Sequence, residues 1–272
     1  MKYFGFLARF VIIPLIIFQL LLRRDRQQGK QLPEAMQNWP ENLVLLGHAA
    51  TAVTYTTPWD NYLVAGGIWS YDPKLVTGMT LGWVPIEEYT FFVLQSLMTG
   101  SWLLFLARRI PLSDAPYDAE GTLPQRLLFT GGLGLIWMIS VVKLLEGKAK
   151  NTYLSLILSW ALPPIMLQTG FGGDILWRNR ALLAASIIPA TLYLGTADSL
   201  AISDGTWNIT PAKTIEREVI KNLPFEEFIF FFLTNVLLTF GVTLVLSKES
   251  ENRLPAFLKD RYFRWKERMT RS

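Results

Sequence analysis

Long apolar runs separated by short polar segments dominate the hydropathy pattern of this chain. About 20 consecutive apolar residues in a helix cross the ~30 Å hydrocarbon layer of a bilayer. Lipid offers no partner for backbone N–H and C=O groups, so a spanning run is expected to be helical. The pattern therefore predicts an all-α, polytopic membrane bundle of seven helices, at about 3–22, 43–60, 85–107, 127–145, 152–168, 179–198 and 224–247.

Composition supports a membrane protein and removes some kinds of chemistry. Of the 272 residues, 51% are hydrophobic and 13% aromatic. The chain has no cysteine, which excludes disulfides, thiolate catalysis and thiolate metal ligands. The first apolar run ends in "RRDR" rather than at a small-residue cleavage site, so we expect an uncleaved anchor.

Basic residues indicate how the chain is oriented. Most of the 26 Lys and Arg residues fall in the loops around Arg23, Arg108 and Arg178 or in the C-terminal tail. Cytoplasmic loops carry the excess of basic residues, which predicts an outer N-terminus and a cytoplasmic C-terminus, in the plasma membrane. The cluster 143–150 on the opposite side disagrees with this orientation. Basic residues in such short loops give no indication of nucleic-acid binding.

The C-terminal tail, residues 248–272, has an amphipathic pattern. Its apolar residues recur at helical spacing and basic residues fill the remaining positions, which is typical of a helix on an anionic inner leaflet. A solvated tail is the alternative. The apolar positions are Leu254, Leu258, Tyr262, Trp265 and Met269.

Two halves of the chain carry the same ordered motifs, 138 or 139 residues apart. We predict a duplication: a three-helix repeat at 1–107, a linker helix within 108–150, a second three-helix repeat at 151–247, and the tail. An odd linker makes the halves parallel, so both acidic motifs open on the same outer face. The matching positions are Asp60, Gly67, Trp69, Pro85, Glu87, Glu88, Tyr89, Phe91 and Phe92 with Asp198, Gly205, Trp207, Pro224, Glu226, Glu227, Phe228, Phe230 and Phe231.

The repeated Pro-x-Glu-Glu motif has two interpretations. Proline and acidic residues suit the first turn of any helix, so the motif could be only a helix start. However, polar residues follow Glu88 and Glu227 on the same helix face in both halves, and polar groups at membrane depth usually face the bundle interior. We predict that Glu88 and Glu227 point inward and that Glu87 and Glu226 lie nearer the rim.

Buried carboxyls of this kind suit acid–base catalysis. Burial favours the neutral form of a carboxyl, and a neighbouring carboxylate acts in the same direction. A neutral acid beside an ionised carboxylate can donate one proton and accept another. Aromatic faces nearby could stabilise a cation, although they are also ordinary core residues. The candidate aromatic residues are Trp69, Trp207, Tyr89, Phe91, Phe92, Phe228, Phe230 and Phe231.

Three other polar residues in the spans have less defined roles. Asp60 and Asp198 either hydrogen-bond to the glutamates or mark the interface between the halves. His48, the one histidine, is predicted to make a hydrogen bond in the core or between helices. The sequence has no metal-ligand cluster, no Gly-rich phosphate loop and no dinucleotide fingerprint, so no cofactor or metal is predicted.

At "PWDNYLVAGGIW", "VPIEEYTFF" and "LPFEEFIFFF" the chain resembles the membrane-integral lycopene cyclase family, which is built from two similar three-helix halves. The resemblance covers about 40–107 and 152–247. It places the family's acidic motif on Glu87, Glu88, Glu226 and Glu227. One departure is Trp59, which precedes Asp60 but has no counterpart before Asp198.

The resemblance implies cyclisation of an acyclic carotene end to a β-ionone ring. An acid protonates the terminal double bond, the next alkene attacks the cation and a base removes a proton, so the reaction is an isomerisation. A carotene is about as long as the bilayer core is thick, so its two ends cannot both reach motifs on one face. We therefore expect one composite pocket that receives each end in turn, with the membrane and the lipophilic carotene as partners.

Two alternatives to an enzyme remain. Parallel three-plus-one-plus-three repeats also build small-metabolite transporters, which bind substrate between broken helices. Against this, Pro163 and Pro164 have no partner near Ile16, and the acids cluster at helix starts. The other alternative is a carotenoid-binding protein without turnover.

Overall fold

The computed structural model describes residues 1–111 and 122–270, and most of these are helical. The first helical segment consists of α1, a π-helical turn at Ala8–Ile12, and α2. The α-helices are α1 Tyr3–Leu7, α2 Ile13–Gln27, α3 Glu41–Ala65, α4 Ile86–Ala107, α5 Leu123–Leu145, α6 Thr152–Arg178, α7 Arg180–Ser203, α8 Phe225–Leu246, α9 Glu249–Asn252 and α10 Ala256–Thr270. Short 3₁₀ turns lie at Glu34–Met36, Ala149–Asn151 and Pro211–Lys213.

Six helices among the described residues are long and apolar enough to cross a membrane. They include all the predicted spans except the second, which corresponds to α3. That helix has 25 residues, but polar side chains such as His48 and Asp60 lower its hydropathy. The seven-span arrangement therefore stays a prediction. Residues 112–121 of the predicted linker region lie outside the described part of the chain.

The prediction of an all-α chain missed three short antiparallel ribbons at one end of the bundle. Strand β1 (Trp69–Tyr71) pairs with β4 (Trp207–Ile209), which joins the two halves of the chain. Strands β2 (Thr80–Leu81) and β3 (Val84–Pro85) form a hairpin within the first half, as do β5 (Glu218–Ile220) and β6 (Leu223–Pro224) within the second. Segments of two or three residues are too short to give an alternating pattern in the sequence.

The repeated Gly-x-Trp motif sets the start of the ribbon between the halves. Gly67 and Gly205 have φ angles of 64° and 67°, which glycine adopts without steric cost. Each follows the end of a helix, α3 or α7, and turns the chain into a strand two residues later. The tryptophan of each motif is thus the first residue of its strand and lies beside the other half.

Equivalent helices make equivalent contacts in the two halves. Helix α3 packs on α4 as α7 packs on α8, and α2 packs on α4 as α6 packs on α8. The halves meet where α4 contacts α7 and α8 and where α3 contacts α8. Helix α5 packs on α6 at the edge of the bundle, where Trp137 donates to the Ser159 carbonyl. Most of the apolar side chains of α5 are exposed.

The sequence interpretation of the prolines was wrong. Pro14 follows Tyr3 by eleven residues and Pro164 follows Tyr153 by eleven, so the two prolines are equivalent once the tyrosines are aligned. The first helices of the two halves are offset by 150 residues, so the counterpart of Pro164 is Pro14 and does not lie at Ile16. Helix α6 also continues to Arg178, ten residues past the predicted end, because the chain stays helical beyond a kink at Gly172.

Ion pairs tie the helices together at the end opposite the ribbons. In the first half, Arg109 forms two 2.7 Å hydrogen bonds with Asp25 at the end of α2. Arg108 forms two hydrogen bonds of 2.5 and 2.7 Å with Glu41 at the start of α3. The second half is tied in the same region by Arg253, which pairs with Asp174.

The tail forms the predicted helix, and α10 contacts the bundle through Tyr262, Trp265 and Lys266. Trp39 donates a 2.7 Å hydrogen bond to the Tyr262 hydroxyl, and its ring lies 5.1 Å from that of Trp265. Lys266 donates to Asn38. The side chain of Leu258 and residues 271–272 of the predicted tail lie outside the described residues.

Candidate active site

The two repeated glutamates Glu88 and Glu227 line a single cavity at the ribbon end of the bundle, which we call the acid cavity. Glu88 lies in the first turn of α4 and Glu227 in the first turn of α8, so each half contributes one carboxyl. Their side chains are 6% and 3% exposed. The remaining lining residues are Tyr3, Phe6, Trp69, Tyr71, Phe91, Leu194, Asp198, Trp207, Ile209, Phe230 and Phe231.

Two tyrosine hydroxyls hold the carboxyl of Glu88. Tyr3, in the first turn of α1, donates to Oε2, and Tyr71 in β1 donates to the same oxygen at 3.2 Å. Burial and the nearby Glu88 carboxyl raise the pKa of the Tyr71 hydroxyl well above its usual value. Tyr71 therefore keeps its proton at physiological pH and remains a hydrogen-bond donor.

Glu227 has the equivalent partner in the second half. Tyr153, in the first turn of α6, donates a hydrogen bond to Oε1 of Glu227. The ring of Tyr153 meets Trp69 edge-on at 6.0 Å, whereas the ring of Tyr3 lies 4.8 Å from Trp207. Each tyrosine–glutamate pair thus contacts the tryptophan of the other half, so the site needs both halves.

The other two glutamates of the motif, Glu87 and Glu226, bind the backbone of the neighbouring loops. Oε1 of Glu87 accepts a 2.6 Å hydrogen bond from the backbone N–H of Thr77, and Oε1 of Glu226 accepts one of 2.7 Å from that of Ile215. Both side chains are buried, at 1% and 0% exposure, so they are no more exposed than Glu88 and Glu227, although they were predicted to lie nearer the rim. Neither lines the acid cavity, so their contacts indicate loop anchoring.

The two aspartates occupy different environments. Asp198 lines the acid cavity, and its Oδ1 accepts a 2.9 Å hydrogen bond from the Trp207 indole. Asp60 is fully buried with no hydrogen-bond partner for either oxygen. Neither hydrogen-bonds to a glutamate among the described residues. A buried carboxyl without donors is costly when charged, which sets Asp60 apart from its counterpart.

Only some of the predicted aromatic residues line the acid cavity. Trp69, Trp207 and Phe231 line the acid cavity, together with Phe91 and Phe230. Phe92 lines a deeper crevice, and Tyr89 and Phe228 line neither space. Tyr89 instead accepts from Asn61 and donates to the Leu81 carbonyl.

Sequence reasoning missed the tyrosines that bond to the glutamates. The signal was present, because Tyr3 and Tyr153 each open the first helix of their half. Their offset is 150 residues, however, whereas the glutamate motifs are 139 apart, so a single repeat period does not align them.

A polar network joins the halves below the acid cavity. The side-chain oxygen of Asn235 accepts hydrogen bonds from Gln95 and Thr99, at 3.3 and 3.1 Å, and its nitrogen donates to Thr191 at 3.2 Å. Asn235 is completely buried. The polar face predicted along α4 and α8 thus points inward and links α4, α7 and α8.

The acid cavity is small as the structure shows it, at about 30 Å³. A cavity of ~10–15 Å³ on this measure holds one water, so the space admits about two. Any organic ligand of the carboxyls must therefore displace the aromatic side chains around them.

His48 lies outside the acid cavity, where its Nδ1 contacts the Val44 carbonyl at 2.7 Å within α3.

Comparison with known proteins gives the family. No protein-family model and no solved structure matched the chain. Lycopene β-cyclases of two Halobacterium salinarum strains are 38% identical over 198 residues, which cover 72% of this chain and 78% of theirs. The bifunctional lycopene cyclase/phytoene synthase of Phaeosphaeria nodorum is 36% identical over 70% of this chain and 33% of its own length. The chain belongs to the lycopene β-cyclase family.

Proposed function

We propose that this membrane protein is a lycopene cyclase that closes the acyclic ends of lycopene to β-ionone rings, with Glu88 and Glu227 as the catalytic acid–base pair. The observation that carries the assignment of residues is that the repeated glutamates of both halves line one buried, aromatic cavity. The similarity to lycopene β-cyclases supports the substrate and the reaction.

The reaction needs one carboxyl neutral and the other ionised. The neutral carboxyl transfers its proton to the terminal C=C of the substrate, the next C=C forms the new ring bond to the resulting cation, and the ionised carboxyl removes a ring proton. One proton is gained and one lost, so the product is an isomer. Two charged carboxylates in one apolar cavity repel each other, which favours the singly protonated pair.

Aromatic side chains around the pair suit a cationic intermediate. Faces of Trp and Phe attract a cation within about 6 Å, and the attraction strengthens where water is excluded. Trp69, Trp207, Phe91, Phe230 and Phe231 surround the carboxyls. Developing positive charge on the ring carbons would thus meet π-electron faces, while the carboxylate serves as base.

A single acid cavity determines the order in which the two ends of lycopene react. Both carboxyls are used for each ring closure, so the two ends of one lycopene must react in succession. Expression in cells that accumulate lycopene should produce a one-ring carotene first and a two-ring carotene afterwards, as followed by chromatography over time. Persistent lycopene would contradict the function, and two-ring product without a one-ring precursor would contradict the single cavity.

The hydrogen bonds from Tyr3 and Tyr153 should increase turnover by the Glu88–Glu227 pair without being essential for it. Tyr3→Phe or Tyr153→Phe removes one hydrogen bond to a catalytic carboxyl, and bonds to charged groups contribute about 1.5–3 kcal/mol. We expect a fall in turnover of about tenfold in membranes, at similar protein levels. Tyr89→Phe is the matched control, because Tyr89 does not line the acid cavity, and it should stay within about twofold. Equal losses in all three variants would contradict the role of Tyr3 and Tyr153.

The membrane arrangement follows from the same repeat. We propose seven spans as three plus one plus three, with α3 as the seventh span and α5 as the linker. The excess of Lys and Arg at the ion-paired end favours a cytoplasmic location for that end in the plasma membrane, and an outer location for the acid cavity. Helix α10 would then lie at the inner leaflet, with exposed Phe257 and Phe263 towards lipid.

A further inference from the structure

Three cavities follow one another along a single face of α8. The first is the acid cavity, where α8 contributes Phe230 and Phe231. The second, the central crevice, has a volume of about 260 Å³ and is bounded on α8 by Phe230, Thr234 and Leu237. The third, the tail groove, has a volume of about 830 Å³ and lies beneath α10. It is bounded on α8 by Gly241 and Val245.

Neighbouring cavities share wall residues. Phe91 and Phe230 border both the acid cavity and the central crevice. His48, Thr51 and Gln168 border both the central crevice and the tail groove. Residues three or four apart share one helix face, so the α8 positions form one continuous stripe.

The length of this stripe matches a carotene. From Glu227 to Val245 the helix rises ~27 Å at 1.5 Å per residue. An extended C40 polyene is about as long as the ~30 Å hydrocarbon layer. A molecule with one end at the carboxyls would therefore bring its other end to the tail groove.

We infer that the polyene of the substrate lies in the central crevice, with its reacting end in the acid cavity and its other end in the tail groove beneath α10. This assignment rests on the proposed function. Phe91 and Phe230 separate the acid cavity from the crevice and must turn aside when an end group enters. The wide tail groove accommodates either an open end or a ring already formed, whereas the narrow crevice suits the chain between them.

The duplication supplies a second crevice, and its differences support the choice. A crevice of about 220 Å³ between α2, α4 and α7 is bounded by Pro14, Ala190 and Trp102. These residues occupy the places of Pro164, Ala52 and Gly241 in the repeat. The two crevices are thus equivalent in origin but differ at their lower ends.

The two crevices differ most in side-chain size at one repeated position. Trp102 packs on Phe18, at 5.4 Å between ring centroids, and borders the lower end of the second crevice. Gly241 stands at the equivalent place in the first, and a Cβ there would lie 2.5 Å from Nε2 of His48. Glycine at 241 thus makes room for the imidazole of His48, which borders both the central crevice and the tail groove, and a larger side chain there would push His48 into the space between them.

The test uses Gly241→Trp with two substrates in membranes. One is lycopene; the other is a truncated analogue with one acyclic end and a total length of ~15 Å, which ends before the ~21 Å level of Gly241. We expect the variant to convert lycopene at least about tenfold more slowly than the parent and the analogue at nearly the parental rate. Equal rates on lycopene would overturn the inference. If the parent protein converted neither substrate, the proposed function itself would fail.

Two further variants complete the design. Thr51→Trp narrows the same passage from the exposed side of α3 and should show the same selective loss, so it decides the question if Gly241→Trp does not fold. Trp102→Gly opens the second crevice and should leave lycopene conversion within about twofold. A loss with Trp102→Gly that exceeds the loss with Thr51→Trp would place the polyene in the other crevice and overturn the inference.

Discussion

Replacement of Glu88 or Glu227 by glutamine is expected to reduce lycopene conversion by about 10²–10⁴-fold, the usual contribution of a positioned acid or base. Glutamine keeps the size of the side chain and can still accept from Tyr3 or Tyr153, but it cannot transfer a proton. Because the two carboxyls act as one unit, the double variant should be little worse than either single variant. Pigment yield per amount of membrane protein measures the effect.

The same substitution at the neighbouring positions is the matched control. Glu87→Gln and Glu226→Gln leave an oxygen that can accept from the backbone N–H of Thr77 or Ile215. We expect these variants to keep at least about a fifth of the parental activity, because general acid–base loss does not apply to them. Full activity in Glu88→Gln and Glu227→Gln, or equal loss at all four positions, would refute the assignment of the acid–base pair.

Asp25→Ala is expected to cause a large loss of stability at the ion-paired end. Asp25 is 2% exposed and accepts two hydrogen bonds from Arg109, so its removal leaves a cation without its partner. Removal of one member of a buried pair costs about 3–5 kcal/mol. Arg109 is one-third exposed, which favours the lower end of that range. The melting temperature in detergent should fall by about 6–12 °C.

Lys30→Ala provides the comparison on the same carboxylate. Lys30 lies 3.8 Å from Asp25 but is 52% exposed, and exposed pairs contribute only about 0–1 kcal/mol. Its melting temperature should change by less than about 3 °C. Since Asp25 is at the opposite end from the acid cavity, folded Asp25→Ala should keep its activity at low temperature. A shift no larger than that of Lys30→Ala would show that the pair does not stabilise the bundle.

The sequence was sufficient to predict the helices and the central pair of residues. Apolar runs predicted seven helices, all of which the structure contains, and six of them are long and apolar enough to cross a membrane. The polar face after each acidic motif predicted that Glu88 and Glu227 point inward. Both depend on periodicity within one helix, which a single sequence displays directly.

Contacts between distant segments could not be predicted in this way. The hydrogen bonds from Tyr3 and Tyr153 depend on how the first helix of each half packs against α4 and α8. The ribbon between β1 and β4 depends on a pairing of segments that are far apart in the chain. Glu87 and Glu226 look equivalent to their neighbours in the sequence, and only the loop backbone that they bind distinguishes them.

The single acid cavity also makes the enzyme distributive on our proposal. After the first ring forms, the molecule has to leave, reverse its direction in the bilayer and compete with fresh lycopene for the vacant site. The ratio of one-ring to two-ring pigment should therefore rise with the ratio of lycopene to enzyme. Cells could set their carotenoid profile by expression level alone, without a second enzyme for the second end.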